Sequence, residues 1–209
     1  MNVKTATELA VLHHALVGVA EEMGEALKRA AYSPNIKERR DYSCALFDAQ
    51  GRLLAQAAHL PVHLGSMPTS VQAVINRYEG EFRAGDFAIV NDPYRGGTHL
   101  PDLTMVAPVF AGERLLGYAA NRAHHADIGG AAPGSMSPQT DLIAEGLVIP
   151  PTMFERLEDL GEGPPVGSIV QEILDLVLAN TRTPDERMGD LDAQLAACDV
   201  GIARLQDVE

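Results

Sequence analysis

The spacing of apolar residues predicts a long helix at the start of the chain. Between Ala6 and about Ala31, apolar side chains recur at steps of three and four residues, and Glu and Lys side chains fill the other positions. This pattern is typical of an amphipathic helix with one face against a core. Ser33-Pro34 ends the pattern, because proline disfavours the helical conformation in the residue before it.

Shorter apolar runs predict strands farther along the chain. Two runs between residues 44 and 55 flank an Asp-x-x-Gly turn at 48–51, which indicates a β-hairpin. A second hairpin is expected around a turn at 111–114. The strands of this hairpin, together with an earlier buried strand, are predicted at 87–90, 104–110 and 115–123.

Helices are predicted between and after these strands. Ser66 is expected to cap a helix that runs to about Tyr78, with Pro68 in its first turn, after a loop at 59–64 that bears two histidines. The remaining elements are a loop at 129–139 and helices at 168–178 and 184–205. Their order indicates an α+β fold with a mixed or mostly antiparallel sheet and flanking helices.

Composition narrows the class of protein. The chain has 209 residues, 46% hydrophobic and 22% charged, which suits a single globular core. Its formal net charge of −13 repels a phosphate backbone and disfavours nucleic-acid binding. No apolar run approaches the ~18 residues of a membrane span, and no signal peptide pattern opens the chain. We therefore expect a cytoplasmic protein with no membrane partner, and with reduced thiols at Cys44 and Cys198.

Histidines and aspartates form two clusters around the second predicted hairpin. Three of the seven histidines lie between residues 91 and 127. His99 and Asp102 precede the first strand, and His124 follows the second. Antiparallel pairing brings these two strand ends together, so His124 is expected beside His99 and Asp102. Imidazole and carboxylate groups are ligands for divalent metals, and the pattern predicts a metal site.

The sequence alone leaves several residue assignments open. Side chains alternate along a strand, so His124 and His125 should point to opposite faces, and only one of them can be a metal ligand. The clusters have a structural alternative, in which the aspartates cap turns and the histidines bond to the backbone. Asp92 in particular fits an Asx turn, and Asp41 fits a solvated charge or an ion pair.

The residues around these clusters carry a resemblance to a known family. Residues 91–102 read Asn-Asp-Pro-Tyr-Arg-Gly-Gly-Thr-His-Leu-Pro-Asp and resemble the signature of the hydantoinase B/oxoprolinase family. The resemblance extends over nearly the whole chain. Its other segments are 38–43, 122–130, 133–135, 145–151 and 180–191.

This resemblance implies a division of labour between two subunits. A hydantoinase A-type partner with an actin-like ATPase fold would use ATP to activate the substrate. The B-type subunit would carry a divalent metal, manganese or zinc, held by His99, Asp102 and His124. Asp41 or Asp92 would supply a further carboxylate, and we assign Asp41 to the metal and Asp92 to general-base catalysis.

The expected function is therefore that of a metal-dependent subunit of an ATP-coupled cyclic amidase. It would open a lactam or hydantoin ring within a hetero-oligomer. Two alternatives remain, a subunit of an ATP-dependent ketone carboxylase and a non-catalytic assembly fragment with a structural metal. Family members run to more than twice this length. We therefore expect residues 1–209 to form a single region that matches the N-terminal part of a larger subunit.

Overall fold

The computed structural model describes residues 5–57, 60–135, 140–155 and 169–208. Its helices are α1 (Ala6–Ala30), α2 (Pro34–Lys37), α3 (Pro61–Arg77), α4 (Leu142–Glu145), α5 (Ile169–Ala179) and α6 (Pro184–Asp207). Its strands are β1 (Tyr42–Asp48), β2 (Leu53–Gln56), β3 (Asp86–Val90), β4 (Asp102–Ala111), β5 (Arg114–His124) and β6 (Thr152–Glu155). Short 3-10 turns occupy 93–95 and 133–135.

The strands form one six-stranded sheet in the order β2-β1-β5-β4-β3-β6. Every neighbouring pair is antiparallel, so the predicted α+β fold with a mostly antiparallel sheet is confirmed. The β4–β5 hairpin lies at the centre and is the longest ladder, running from the Asp102–His124 pair to the Ala111–Arg114 pair. Both predicted hairpins are present.

Helices cover both faces of the sheet. Helices α1 and α6 pack against each other and against one face, where alternate side chains of β1 and β5 enter the core. Helix α5 lies on α6 and β6 and extends this core. Helix α3 covers the opposite face and contacts β1, β3, β4 and β5. Because side chains alternate along each strand, neighbouring residues belong to different layers.

Helix α1 begins as its sequence predicts. The Thr5 hydroxyl accepts the Glu8 N–H at 3.1 Å, and the Glu8 carboxylate accepts the Thr5 N–H at 2.9 Å. This reciprocal capping box satisfies two N–H groups that a helix start leaves without partners. The helix ends at Ala30, one residue from its predicted end.

The predicted start of α3 is wrong. The helix begins at Pro61, not at Ser66, so residues 61–64 are helical where a loop was expected. Proline suits the first helical position because its φ is already fixed, and because an N–H at that position would have no acceptor within the helix. The Ser66 hydroxyl bonds back to the Val62 carbonyl at 3.1 Å instead of capping, and Pro68 lies inside the helix. His59 lies outside the described residues.

Other elements differ from the predictions in length or were not predicted. Strands β4 and β5 are longer than expected, and the short elements α2, α4 and β6 were not predicted. Of the predicted loop at 129–139, residues 136–139 lie outside the described part. Both C-terminal helices are present. Among the residues that the structure describes, no helix has the length and apolarity needed to cross a bilayer.

Candidate functional site

Four side chains meet at one end of the sheet, on the face covered by α3. Asp102 opens β4 and stands opposite His124, the last residue of β5. Asp41 lies just before β1, and its carbonyl accepts the His124 N–H at 2.9 Å. His63 comes from the first turn of α3. The hairpin pairing predicted for Asp102 and His124 is therefore present, and Asp41 is brought to the same place.

The Asp102 carboxylate is the hub of this cluster. It is only 4% exposed, and one oxygen lies 2.7 Å from His124 Nδ1. The other oxygen accepts hydrogen bonds from the Thr98 hydroxyl and, at 3.2 Å, from the His99 N–H. Burial raises the pKa of Asp102, but the interactions with His124, His63 and Thr98 outweigh it and hold the pKa well below its usual value. Asp102 is therefore an anion at neutral pH.

The contact that lowers the pKa of Asp102 raises the pKa of His124. Its side chain is 18% exposed, and burial lowers the pKa of its ring. The hydrogen bond and charge of Asp102 outweigh that effect, so the pKa of His124 is raised overall. An ionised carboxylate can only accept, so His124 Nδ1 carries the proton between them. The Nε2 atom of the neutral ring is then free to act as a base or as a ligand.

His63 is a site residue that the sequence did not reveal. It is 2% exposed, and its Nε2 lies 3.6 Å from one oxygen of Asp41 and 3.6 Å from one oxygen of Asp102. Its Nδ1 lies 3.5 Å from the Ser43 hydroxyl. The signal that could have placed it is Pro61, since a proline that starts the helix puts His63 in the first turn.

The glycine turn before β4 positions His99. Gly96 has φ of 88°, and a Cβ on Gly97 would lie 2.1 Å from the Asn91 carbonyl oxygen. Both positions therefore require glycine, as the double-glycine pattern suggests. The ring of His99 stacks on that of His124, with centroids 5.4 Å apart and an angle of 27° between the planes. The turn thus adds a third imidazole to the cluster.

A buried guanidinium supports the same turn. Arg122 is fully buried on the α3 side of β5 and donates to the Thr104 hydroxyl at 2.7 Å and to the Gly96 carbonyl at 3.1 Å. It also donates to the Ser70 hydroxyl at 2.7 Å and to the Ser66 hydroxyl. Burial lowers the pKa of Arg122 to about 10, and the charge of Asp102 acts against this. The charge of Asp102 therefore favours the protonated form of Arg122 inside the fold.

Asp92 occupies a turn. Its carboxylate accepts the Tyr94 N–H at 2.9 Å and starts the 3-10 turn at 93–95. This is the Asx arrangement that the sequence left open as an alternative. The predicted general-base role of Asp92 stays a prediction.

The donor set suits a divalent metal in its chemistry. Carboxylates from Asp41 and Asp102 and imidazoles from His63, His99 and His124 lie at this end of the sheet. The 3.6 Å separations around His63 Nε2 are too long for hydrogen bonds and close to the ~3.5 Å between two ligands of a tetrahedral metal. Within the described ranges, however, no three His, Cys, Asp or Glu side chains stand ready to hold an ion.

His125 lies on the opposite face, as strand alternation predicts. It is fully buried under α6, and its Nε2 lies 2.8 Å from the Gln194 side-chain oxygen. Burial, with the nearby charge of Arg187, lowers the pKa of His125 to about 4. Of the two adjacent histidines, only His124 faces the cluster.

Comparison with known proteins identifies the family. The sequence profile described as hydantoinase B/oxoprolinase matches residues 5–208. The chain belongs to the hydantoinase B/oxoprolinase family. The resemblance noted in its motifs is thereby confirmed. Members of this family named as 5-oxoprolinases match most of the chain.

Individual relatives agree with the family assignment. An uncharacterized protein of Methanocaldococcus jannaschii is 44% identical and matches 90% of this chain, and the 5-oxoprolinase of Saccharomyces cerevisiae is 40% identical and matches 93%. The crystal structure of the ATP-dependent caprolactamase from Pseudomonas jessenii superposes with a TM-score of 0.86 at 32% identity, covering 99% of this chain and 34% of its own. This hydantoinase B/oxoprolinase chain spans 32% of the length of the archaeal relative and 15% of that of the yeast relative.

Proposed function

We propose that this chain provides the metal-binding part of an ATP-coupled cyclic amidase. The observation that carries the proposal is the cluster of Asp41, His63, Asp102 and His124 around one buried carboxylate, in a member of a family that includes 5-oxoprolinases. The relatives named for their substrates, 5-oxoprolinase and caprolactamase, act on ring amides, which supports a lactam or hydantoin substrate.

Asp41, His99, Asp102 and His124 would hold the metal, with His63 as an additional candidate. A divalent metal at this place, manganese or zinc, would polarise the amide carbonyl or lower the pKa of bound water. Asp102 keeps the Nδ1 proton of His124 in place and so directs the Nε2 lone pair outward. His124, His63 and Thr98 keep Asp102 ionised, and its charge favours the protonated form of the buried Arg122.

We further propose that ring opening needs a hydantoinase A-type ATPase subunit as a partner. The related caprolactamase is named as ATP-dependent. No Walker-type phosphate loop occurs in this sequence. A separate subunit that uses ATP to activate the substrate would supply this step, and the complex would be a hetero-oligomer.

Metal analysis tests the central claim. The protein is purified as wild type and as His99→Ala, His63→Ala and His124→Ala, and bound manganese and zinc are measured by mass spectrometry. His14→Ala, an exposed histidine of α1, is the matched control. Near-stoichiometric metal in wild type and control, with loss in His99→Ala and His124→Ala, is expected. A metal-free wild type, or a content unchanged in all variants, contradicts the metal claim.

Activity is tested with the partner subunit and ATP present. Hydantoin, 5-oxoproline and caprolactam are assayed for ring opening, and acetone with bicarbonate is assayed for carboxylation. Ring opening that disappears in His124→Ala supports the amidase. Carboxylation without ring opening shows the ketone carboxylase instead. If neither reaction occurs and metal loss only lowers stability, the metal is structural.

A further inference from the structure

Helix α6 makes a second set of buried polar contacts behind the candidate site. Asp190 is fully buried, and one of its oxygens accepts the N–H groups of Tyr32 at 2.8 Å and Ser33 at 2.9 Å. The Tyr32 ring lies against Gly189, where an added Cβ would meet it at 2.1 Å. The turn at 31–33 is therefore docked tightly on α6.

This turn leads directly to Asp41. Helix α2 follows it, and the Asp41 N–H donates to the Asn35 carbonyl at 3.0 Å within the same compact segment. Asp41 then pairs through its carbonyl with the His124 N–H. The position of Asp41 thus depends on a segment that Asp190 holds at its other end.

Arg187, one helical turn before Asp190, has unused hydrogen-bonding capacity. It is fully buried, and its Nη2 donates to Asp190 at 3.1 Å and to Glu186. Its Nε and Nη1, the Ser33 hydroxyl and His125 Nδ1 have no hydrogen-bond partner among the described residues. A buried donor or acceptor without a partner is strongly destabilising, so these atoms require an explanation.

The hydrogen bonds of Gln194 settle which nitrogen of His125 is the acceptor. Gln194 Nε2 donates to the Leu103 carbonyl at 2.9 Å and to the Asn121 side-chain oxygen at 2.8 Å. The Gln194 Oε1 is therefore an acceptor, and His125 Nε2 must donate to it. In the neutral ring this leaves a lone pair on His125 Nδ1.

Buried donors and a buried acceptor thus remain without partners behind the candidate site, among the residues that the structure describes. Two nitrogens of Arg187 have no acceptor there, and the charge of Arg187 acts on both His124 and His125. A bound water that accepts from Arg187 and donates to His125 Nδ1 would satisfy both groups. Internal waters commonly link buried polar groups in this way.

We propose that Asp190 and Arg187 form a positioning pair for the candidate site. Asp190 holds the segment that delivers Asp41, and Arg187, through a bound water, holds His125 and with it the end of β5 that carries His124. One helical turn of α6 thereby positions the two segments, one with Asp41 and one with His124, that meet in the backbone hydrogen bond between these residues. The inference rests on the proposed function only in treating these two residues as site residues.

The first test uses amide exchange. In Asp190→Ala, we expect the His124 N–H to exchange roughly tenfold faster by NMR, because the N–H groups of Tyr32 and Ser33 lose their acceptor and the Asp41 segment loosens. Amides in the middle of β4 should keep their rates. Asp192→Ala, an exposed aspartate of the same helix, is the matched control. Asp190→Asn retains one acceptor oxygen and should show a smaller increase. Unchanged His124 exchange in a folded Asp190→Ala protein overturns the role of Asp190.

The second test addresses the bound water. Arg187→Met keeps the side-chain stem and removes the donors, so the ¹⁵N resonance of His125 Nδ1 should shift and the His124 N–H should exchange faster. Arg204→Met, at an exposed position of α6, is the control. If Arg187→Met changes neither signal in the folded protein, Arg187 is only a charge partner of Asp190. Metal analysis is separate, so a metal-free wild type would contradict the proposed function and leave these results interpretable.

Discussion

His124 and His125 are adjacent in sequence and lie in opposite environments. His124 contacts an ionised carboxylate at the edge of the α3 face, and the pKa of its ring is raised. His125 is enclosed beneath α6 against an amide, and its pKa is lowered to about 4. The same side chain thus belongs to the candidate site on one face and acts as a core polar group on the other. Partner and burial decide the role, not residue type.

The largest expected effect concerns the buried guanidinium of Arg122 on the α3 face of the sheet, as opposed to the His125 contacts on the α6 face. Arg122→Met removes the donor to Thr104, Ser70 and Gly96 and a buried charge that interacts with Asp102. We expect a loss of about 4 kcal/mol in the free energy of unfolding, measured by urea denaturation. Arg114→Met, at an exposed end of the same strand, should cost less than about 1 kcal/mol. A loss below about 1 kcal/mol for Arg122→Met would show that the buried cation is dispensable.

Exchanging the two histidines for alanine should separate their roles. His125→Ala opens a cavity in the core and removes the hydrogen bond to Gln194, so the unfolding free energy should fall by about 3 kcal/mol. His124→Ala, which is partly exposed, should cost about 1 kcal/mol and abolish metal binding. Equal losses of stability in the two variants would erase the distinction between the faces.

In the metal-free protein, the pH dependence of stability should have opposite slopes for the two rings. A His124 pKa raised in the folded state contributes stability below about pH 6.5 that is lost as pH rises through the folded pKa. His125 is held neutral, so its contribution is present above about pH 6.5 and is lost as pH falls toward 4, by up to about 3 kcal/mol.

Two substitutions make this measurable by denaturation at several pH values. His124→Gln should destabilise the protein more at about pH 5.5 than at about pH 8.5, two values that lie on either side of the ordinary histidine pKa of about 6.5. His125→Gln should destabilise the protein more at the higher pH and least at the lower pH. Parallel curves for the two variants would mean that the rings titrate alike in spite of their surroundings.

The smallest effect concerns the backbone that delivers Asp41 to the His124 side. Arg40 has φ of 55°, which is the left-handed region that glycine adopts without strain. Arg40→Gly should stabilise the protein by about 0.5 kcal/mol, because relief of strain slightly exceeds the entropy that glycine loses on folding. Gly51→Ala, where φ is 76° and an added Cβ would lie 2.7 Å from Ile75, should destabilise it. Destabilisation by Arg40→Gly would show that the arginine side chain itself is needed there.

The part of the site that depends on local pairing could be predicted from the sequence. The turn at 111–114 and the apolar runs around it define a hairpin, and this register places His124 opposite Asp102. Alternation along the same strand separates His124 from His125. The role of Asp41 came only from the family resemblance, because its approach depends on the strained turn at Arg40.

The remaining site residues depend on where α3 packs. Ser66 was expected to cap this helix, but its hydroxyl accepts from Arg122 inside the fold. The helix instead starts earlier, at Pro61, and brings His63 to Asp102. A single sequence contains no signal for such contacts between distant elements, since they follow from the packing of a helix on a sheet.

The length of the central hairpin has a practical consequence for protein engineering. β4 has ten residues, so the exposed tip at Gly112 and Glu113 lies about 30 Å from Asp102. A short peptide tag or a fluorescent label inserted at this tip would mark the protein, or attach it to a surface, at a distance from the candidate site. The β4–β5 ladder between the tip and the candidate site would keep its register.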